Sequence, residues 1–282
     1  MPGFFDALGR FEFLRFALLA GVLASIACGV IGTYVVTRRI TYIAGGIAHS
    51  TLGGMGVARY LQVVHGLRWL HPLHGAIAAA LIAAGIIGLV SLHKREREDT
   101  VIGAVWAIGM ALGVLFISRT PGYNEDLMSY LFGNILMVTR GSLWLIVGLD
   151  VLVVTMGLLF YNHFVAVSFD EEFARLRGVR VEFYYLLLLG LTALTVVLLV
   201  TVVGIVLVIA LLTLPAAVAG YFARTLRGMM ILSVLLSIGF TTGGLAISFE
   251  PDLPGGATII VLAGGVYLLV TIAMRLVKYG RR

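Results

Sequence analysis

Charged side chains are scarce in this sequence. Of its 282 residues, 12% are charged and 60% are hydrophobic, and the mean hydropathy is +1.06. Water-soluble domains contain about twice this share of charged residues, so a soluble globular fold is excluded. The pI of about 9.7 does not indicate a nucleic-acid partner, because the basic residues lie between apolar runs and form no continuous basic face.

Cysteine and enzyme motifs are also nearly absent. Cys28 is the only cysteine, so no disulfide can form within the chain. The sequence has no GxxxxGK[ST] phosphate-binding loop, so we do not expect it to hydrolyse ATP itself. It has neither an HExxH motif nor a GxSG serine, so an intramembrane protease is not expected. We therefore expect a membrane protein that is not an enzyme.

Long apolar runs dominate what is present. About 20 apolar residues cross a bilayer as a helix, and a helix satisfies the backbone hydrogen bonds that lipid cannot. The runs that meet this length criterion are residues 14–37, 72–92, 100–118, 142–163, 184–203, 229–249 and 256–276.

Three further apolar segments depart from this pattern. Residues 40–62 form a weaker span, interrupted by glycines and by His49. Residues 204–222 are apolar, but Pro215 predicts a short helix that turns at the proline. Residues 127–139 are too short to cross and suit a re-entrant half-helix. The sequence thus predicts an all-α integral membrane protein, a polytopic bundle of about eight to nine transmembrane helices plus the half-helix, in a single transmembrane domain over residues 1–282.

The basic residues predict the orientation of this bundle. If the half-helix returns to its own side and residues 204–222 cross, most Lys and Arg residues lie in loops on one side, which the positive-inside rule makes cytoplasmic. These residues are Arg38, Arg39, Lys94, Arg95, Arg97, Arg175, Arg177, Arg180, Arg224, Arg227, Arg275, Lys278, Arg281 and Arg282. The C-terminus is then cytoplasmic and the N-terminus external.

Two polar side chains inside the apolar runs are candidates for an ion pathway. His49 lies near the middle of its span, and imidazole is a good ligand for zinc but a poorer one for manganese, which favours carboxylates. Asp150 has no charged neighbour in its run, and intramembrane carboxylates usually face a cavity or a partner. The alternatives are a His49 bonded to a neighbouring helix and an Asp150 that is protonated and neutral.

Further candidates lie at the external ends of the spans. Glu250 and Asp252 precede the last span, and Glu125 and Asp126 precede the half-helix; they could attract a cation or contact a binding protein, or be solvated loop residues. His65, His71 and His74 lie in one external loop, but their spacing matches no zinc site. We interpret these histidines as surface residues.

Two cytoplasmic segments have unusual patterns for membrane loops. Residues 168–183 (SFDEEFARLRGVRVEF) are charged and amphipathic. Residues 215–229 (PAAVAGYFARTLRGM) combine small residues with Arg224 and Arg227. Loops between membrane helices are usually shorter and less patterned. Both segments are either docking surfaces for a cytoplasmic partner or ordinary interfacial helices.

Several of these segments together resemble the permeases of metal-importing ABC transporters for zinc, manganese and iron, the ABC-3 family. RRITYIAGGIAHSTLGGMG (residues 38–56) resembles the family's RR…GDALSHS…LG, and NEDLMSYLFGNIL (124–136) resembles DLMSYLFGSIL. SFDEEFARLRGV (168–179) is similar to SFDPEFARALGV, and DLPGGATIIVLAG (252–264) to DLP.GATIVL.AG. The matches follow the family order from about residue 14 to residue 276.

The resemblance implies a division of labour between several proteins. This chain is expected to be the membrane-spanning subunit, to form a homodimer, and to work with two copies of a cytoplasmic ABC ATPase that binds the ATP. An extracytoplasmic metal-binding protein would deliver the ion. The chain itself would hold no cofactor, would contact membrane lipid but no nucleic acid, and would lie as a multi-pass protein in the inner (plasma) membrane of a prokaryote.

The resemblance also assigns residues to roles. Segment 215–229 corresponds to the coupling region that fits a groove on the ATPase, with residues 168–183 as a second coupling segment. The residues expected at these contacts are Pro215, Ala216, Gly220, Arg224, Arg227, Asp170, Glu172 and Arg175. The residues expected along the metal path are His49, Asp252 and Asp126, together with Asp150, which matches no family motif and is a candidate because it is a carboxylate inside a span.

One position departs from the family pattern. The family motif places an aspartate four residues before the histidine, on the same helix face, whereas Gly45 stands there in this sequence. The expected function is therefore import of a divalent metal by alternating access, with zinc favoured over manganese or iron. The alternative is a stand-alone metal transporter or channel driven by an ion gradient, which needs coupling carboxylates inside its spans; Asp150 alone qualifies.

Overall fold

The computed structural model describes residues 4–93, 98–121, 133 and 135–279, and regular structure in these ranges is helical. A single 3-10 turn, Ile135–Met137, precedes the sixth α-helix. The α-helices are, in chain order, α1 (Phe4–Arg10), α2 (Glu12–Thr37), α3 (Thr41–Val64), α4 (Pro72–His93), α5 (Glu98–Ser118), α6 (Arg140–Leu159), α7 (Tyr161–Phe169), α8 (Glu171–Leu176), α9 (Val181–Val203), α10 (Ile205–Phe222), α11 (Leu226–Phe249) and α12 (Gly255–Tyr279).

The predicted membrane helices are confirmed. Among the described residues, eight helices are long and apolar enough to cross a bilayer. They are α2, α4, α5, α6, α9, α10, α11 and α12. The weaker span is also a continuous helix, because α3 runs for 24 residues through its glycines and His49. The protein is therefore an all-α, multi-pass membrane protein.

The predicted break at Pro215 is wrong. Helix α10 continues through Pro215 to Phe222, with the proline buried inside it. Proline removes one backbone donor, but membrane helices tolerate this because neighbouring groups and small local adjustments satisfy the freed carbonyl. The chain breaks instead at Gly204, whose φ of 85° is accessible to glycine and rare for other residues.

Two other predictions need revision or lie outside the described residues. The span predicted over 142–163 ends at Leu159, and α7 begins as a separate helix at Tyr161. Most of the half-helix predicted at 127–139 lies outside the described residues. Its described end is the 3-10 turn at Ile135–Met137, in which Ile135 is buried.

The chain divides into two compact units, which alternate along the sequence. The first comprises the described parts of residues 1–36, 128–157 and 202–282, and the second those of residues 37–127 and 158–201. In the first unit, α2 packs closely on α10 and α11: a Cβ on Gly32 would lie 2.0 Å from the Leu212 carbonyl oxygen, and one on Gly29 would lie 2.8 Å from the Val234 amide nitrogen. The second unit holds α3, α4, α5, α7, α8 and most of α9, and in it α3 packs against α4 and α5.

Candidate functional site

Helix α3 is held between α4 and α5 by contacts that only glycine permits. A Cβ on Gly54 would lie 2.0 Å from the carbonyl oxygen of Gly75 in α4, and a Cβ on Gly53 would lie 2.6 Å from that of Gly109 in α5. Lipid supplies no hydrophobic drive between helices, so close van der Waals packing at small residues has to hold them. These contacts fix the position of α3 and hence of His49.

Helices α3 and α5 run parallel at a constant register. Gly46 faces Ile102, Gly53 faces Gly109 and Gly56 faces Gly113. The residue offset hardly changes along the pair, as it should for two parallel helices with the same rise per residue. The same register sets His49 of α3 opposite Trp106 of α5.

His49 stacks face to face on Trp106. The two ring centroids are 4.3 Å apart, and the ring planes differ by 8°. The Trp106 Nε1–H donates to the Met110 sulfur at 3.0 Å, which anchors the indole within its own helix. The sequence did not point to Trp106, since nothing in it relates a tryptophan in one span to a histidine in another. A polar residue and a tryptophan at similar depths in two spans of the same direction are the only signal.

One nitrogen of His49 makes no hydrogen bond to any described residue. This atom is Nδ1, and it is buried. Buried polar atoms are normally satisfied by protein or water. Trp106 covers the ring face, whereas a neutral imidazole binds an ion through the lone pair of one nitrogen at the ring edge. This arrangement suits a ligand better than a structural histidine bonded to a helix backbone.

Open space lies one helical turn before His49. A Cβ at Gly45 would meet no heavy atom within 4 Å, in contrast to the crowded glycines further along α3. Ser50 donates its hydroxyl hydrogen to the Ile47 carbonyl at 2.7 Å, so its oxygen keeps lone pairs. The Cβ of an aspartate at position 45 would meet no neighbouring atom within 4 Å, but this chain has a glycine at that position.

Asp150 is buried in the first unit, whereas His49 belongs to the second. Its residue is 7% exposed, and neither carboxylate oxygen has a hydrogen-bond partner of normal geometry among the described residues. The Ala27 backbone and the buried Cys28 thiol are close enough to interact with it electrostatically. An intramembrane carboxylate of this kind is expensive unless it is neutral or meets a partner.

Asp252, another predicted metal residue, lies outside the helices. Asp252 is exposed in the turn between α11 and α12, with a φ of 51°. Asp126 and its neighbour Glu125 lie outside the described residues. His71 and His74 are exposed, and the His71 Nδ1 accepts a hydrogen bond from the Leu73 amide at 3.3 Å. Among the described residues, no group of three or more His, Cys, Asp or Glu side chains could hold a metal.

Segment 168–183 presents apolar side chains beside charged ones. Phe169, Phe173 and Leu176 are 67%, 52% and 87% exposed. Asp170 caps α8 by accepting from the Phe173 amide at 2.9 Å. Glu172 is exposed, and the Arg175 guanidinium pairs with the Glu182 carboxylate at 2.7 Å. A short amphipathic helix with its apolar side uncovered suits docking of another protein.

Segment 215–229 is the junction of two helices. Pro215 and Ala216 are buried inside α10, whereas Gly220 is exposed in its last turn. Arg224 and Arg227 are exposed on either side of Thr225, whose hydroxyl oxygen accepts from the Gly228 amide at 3.1 Å and so caps α11. Only the exposed part of this segment, from Gly220 onward, is accessible to a partner.

Several known proteins are similar to this chain over almost its whole length. A probable metal transport system membrane protein of Chlamydia trachomatis is 42% identical over 92% of this chain and 88% of its own. The manganese transport system membrane protein MntC of Halalkalibacterium halodurans is 33% identical over 94% of this chain and 89% of its own. In structure, the chain resembles PsaBC from Streptococcus pneumoniae, solved in complex with Fab, with a TM-score of 0.82, 30% identity and coverage of 95% and 94% of the two chains.

A family model agrees with these similarities. The model of the ABC 3 transport family matches residues 10–274, a range that includes every helix from α2 to α11 and most of α12. The match covers far more than half of the sequence, and the first listed relatives are covered over most of their own lengths. The chain is therefore a multi-pass membrane protein that belongs to the ABC 3 transport family.

Proposed function

We propose that this chain is the permease subunit of an ATP-driven importer of a divalent metal ion. The observation that supports this most directly is His49, an intramembrane imidazole with a buried nitrogen that no described group satisfies. Polar side chains within membrane helices usually mark substrate or ion pathways. The relatives named as metal or manganese transport proteins support the same class of cargo.

Zinc is the first candidate for the cargo, and manganese is the second. His49 offers nitrogen, and position 45 offers no carboxylate, which favours zinc over the harder manganese. The names of the relatives favour manganese. His49 alone cannot complete a coordination shell, so water or a second copy of the chain supplies the remaining ligands in this proposal.

The proposed partners occupy both faces of the membrane. A cytoplasmic ABC ATPase docks on α8 and its flanks, where Phe169, Phe173 and Leu176 are exposed, and on the junction that holds Arg224 and Arg227. An extracytoplasmic binding protein delivers the metal near Asp252. Two copies of the chain form the central path. ATP-driven closure of the ATPase then switches the path between outward and inward access.

Reconstitution into proteoliposomes tests the proposal. The chain is purified with the ATPase that accompanies it, and uptake of radioactive zinc and manganese is measured with and without ATP. We expect ATP-dependent uptake, which His49→Ala lowers at least about tenfold, because losing even a residue that only orients a metal ligand costs about 10- to 100-fold in affinity or activity. The control His74→Ala removes an exposed external histidine and should leave uptake unchanged. Equal loss in both variants, or none in His49→Ala, contradicts the role of His49.

The alternative is a transporter driven by an ion gradient. The observation in its favour is Asp150, a buried carboxylate of the kind that couples proton movement to transport. It predicts metal accumulation by the chain alone when a proton or sodium gradient is imposed. Accumulation without any ATPase would replace the first proposal with this one.

A further inference from the structure

We propose that Arg38 is a positioning residue that transmits movement of the cytoplasmic helix α8 to α3, the helix that bears His49. This inference rests on the proposed function and adds the residue through which ATPase docking reaches the metal path. The sequence presents Arg38 as a cytoplasmic positive charge and as the first residue of the stretch that resembles the family motif, and neither observation predicts the contacts of its side chain.

The Arg38 side chain joins three elements of the second unit. Its guanidinium donates to the Val167 backbone carbonyl in α7 and to the Glu171 carboxylate in the first turn of α8. The guanidinium carbon also lies 4.2 Å from the centroid of the Tyr185 ring in α9. A planar guanidinium can make all these contacts at once, whereas a lysine ammonium acts as a point charge. Arg38 therefore connects the start of α3 to α7, α8 and α9.

The connection is more buried than the other ion pairs of the described chain. The Arg38 side chain is 9% exposed and that of Glu171 is 34% exposed. In the Arg140–Glu12 pair the two side chains are 78% and 62% exposed, and in Arg175–Glu182 they are 52% and 54% exposed. Exposed pairs contribute little because water screens them, but a buried charge that loses its partner is strongly penalised. Separation of Glu171 from Arg38 would leave the guanidinium without its carboxylate partner in a mostly buried place, so movement of Glu171 favours movement of Arg38 with it.

Arg38 also lies close to where α3 begins. Helix α2 ends at Thr37 and α3 begins at Thr41, so Arg38 stands in the short turn that leads into α3. The next residue, Arg39, has a φ of 61°, which non-glycine residues adopt at some cost in strain. Such a turn has few alternative conformations, so a force on the Arg38 side chain acts directly on the N-terminus of α3.

A polar cavity leaves room for this movement. It has a volume of about 370 Å³ and is lined by Arg38, Glu171 and Tyr185 together with Ser91, Glu98 and Ser168. The Tyr185 hydroxyl donates to Ser91 in α4 at 3.0 Å, so the side of the cavity that carries Tyr185 is tied to α4. The cavity borders Glu171 at the start of α8, so α8 has open space on this side.

A double-mutant cycle on the reconstituted importer tests the inference. Arg38→Gln, Glu171→Gln and the double variant are each purified with the ATPase, and the readout is the number of metal ions imported per ATP hydrolysed. We expect each single variant to lower this ratio about tenfold, within the usual range of coupling between sites. The double variant should be no worse than Arg38→Gln, because both changes break the same link. Glu12→Gln, which breaks an exposed pair at Arg140, should keep the wild-type ratio.

The outcomes separate this inference from the proposed function. If the wild-type chain imports no metal with ATP, the proposed function fails before Arg38 is examined. If the wild type imports metal but both single variants keep its ratio, the inference alone is wrong. Additive losses in the double variant also overturn it. A purely structural role would lower the yield of assembled complex and its Tm while leaving the ratio per complex unchanged, and this result counts against the inference too.

Discussion

At the scale of single residues, the proposed metal site depends on how the His49 imidazole is oriented. The stacked indole of Trp106 fixes the plane of the imidazole, and the Met110 sulfur fixes the indole. An aromatic pair of this kind contributes about 1 kcal/mol beyond its buried area. A side chain held in this way does not have to be ordered when an ion arrives, which favours binding.

Removing the indole should therefore weaken metal binding without removing the ligand. We expect Trp106→Ala to raise the metal concentration for half-maximal uptake about fivefold, which corresponds to about 1 kcal/mol. Trp106→Phe keeps a ring face and should stay closer to the wild type. The measurement is ATP-driven uptake over a series of metal concentrations. An unchanged half-maximal concentration in Trp106→Ala would show that the stacking does not support the site.

The glycine at position 45 should control which metal is preferred. A side chain there meets no heavy atom within 4 Å at its Cβ and lies four residues before His49, on the same helix face. We expect Gly45→Asp to raise uptake of manganese relative to zinc, because manganese favours carboxylate oxygen. Gly45→Asn has nearly the same shape without the charge and is the matched control. Equal metal ratios in both variants would contradict a ligand role for this position.

The sequence located His49 and Asp150 but not their surroundings. A polar residue in an apolar run is visible in a single sequence, since its cost in lipid is known in advance. The stacking partner and the open space beside Gly45 depend on how α3 and α5 pack. Contacts between two helices that are distant in the sequence cannot be predicted from the sequence of either helix alone. The sequence shows that Arg38 is charged, but it does not show that the Arg38 side chain is buried.

At the scale of helices, α3 is positioned by backbone contact rather than by apolar area. The Gly54 and Gly75 backbones are so close that a Cβ on either residue would approach the other's carbonyl oxygen to about 2 Å. Interiors packed in this way tolerate no added atom without a backbone shift. The small residues that interrupt the span in sequence are thus the reason that α3 can lie between its neighbours.

This packing predicts opposite effects for two glycines of the same helix. Gly54→Ala places its Cβ 2.0 Å from the Gly75 oxygen and should cost about 1–3 kcal/mol of stability, the usual cost of overpacking. Gly45→Ala meets open space and should leave stability unchanged or slightly raised. The measurement is the Tm of each purified variant in detergent. Similar Tm values for the two variants would show that α3 and α4 are not in backbone contact.

The positions of the helices could be predicted because bilayer thickness sets the length of each apolar run. The points at which helices are interrupted were harder to predict. The apolar runs gave the spans to within a few residues, as at Glu12–Thr37 and Pro72–His93. Pro215 misled the prediction, because in a membrane bundle neighbours compensate for the donor that proline lacks. The helix actually breaks at Gly204. The sequence contains 35 glycines, and nothing in it distinguishes Gly204 from the glycines that lie inside helices.

At the scale of the whole molecule, the arginines and lysines predict the orientation. Most of them lie in the loops assigned to one side, and moving such loops across a membrane during insertion is unfavourable. This prediction places α8 on the cytoplasmic side, where an ATPase can reach it, and the loop before α4 on the outer side. The proposed function requires this orientation, since the only source of ATP is cytoplasmic.

Cysteine labelling should confirm the orientation directly. Cys28 is the only cysteine and is fully buried, so Cys28→Ser provides a background without reactive thiols. In that background, Trp69→Cys and Leu176→Cys each replace an exposed side chain, 72% and 87% exposed respectively. We expect a membrane-impermeant maleimide to label the first variant in intact spheroplasts and the second only after permeabilisation. Labelling of Leu176→Cys in intact spheroplasts would place α8 outside, and a helix there could not receive force from a cytoplasmic ATPase.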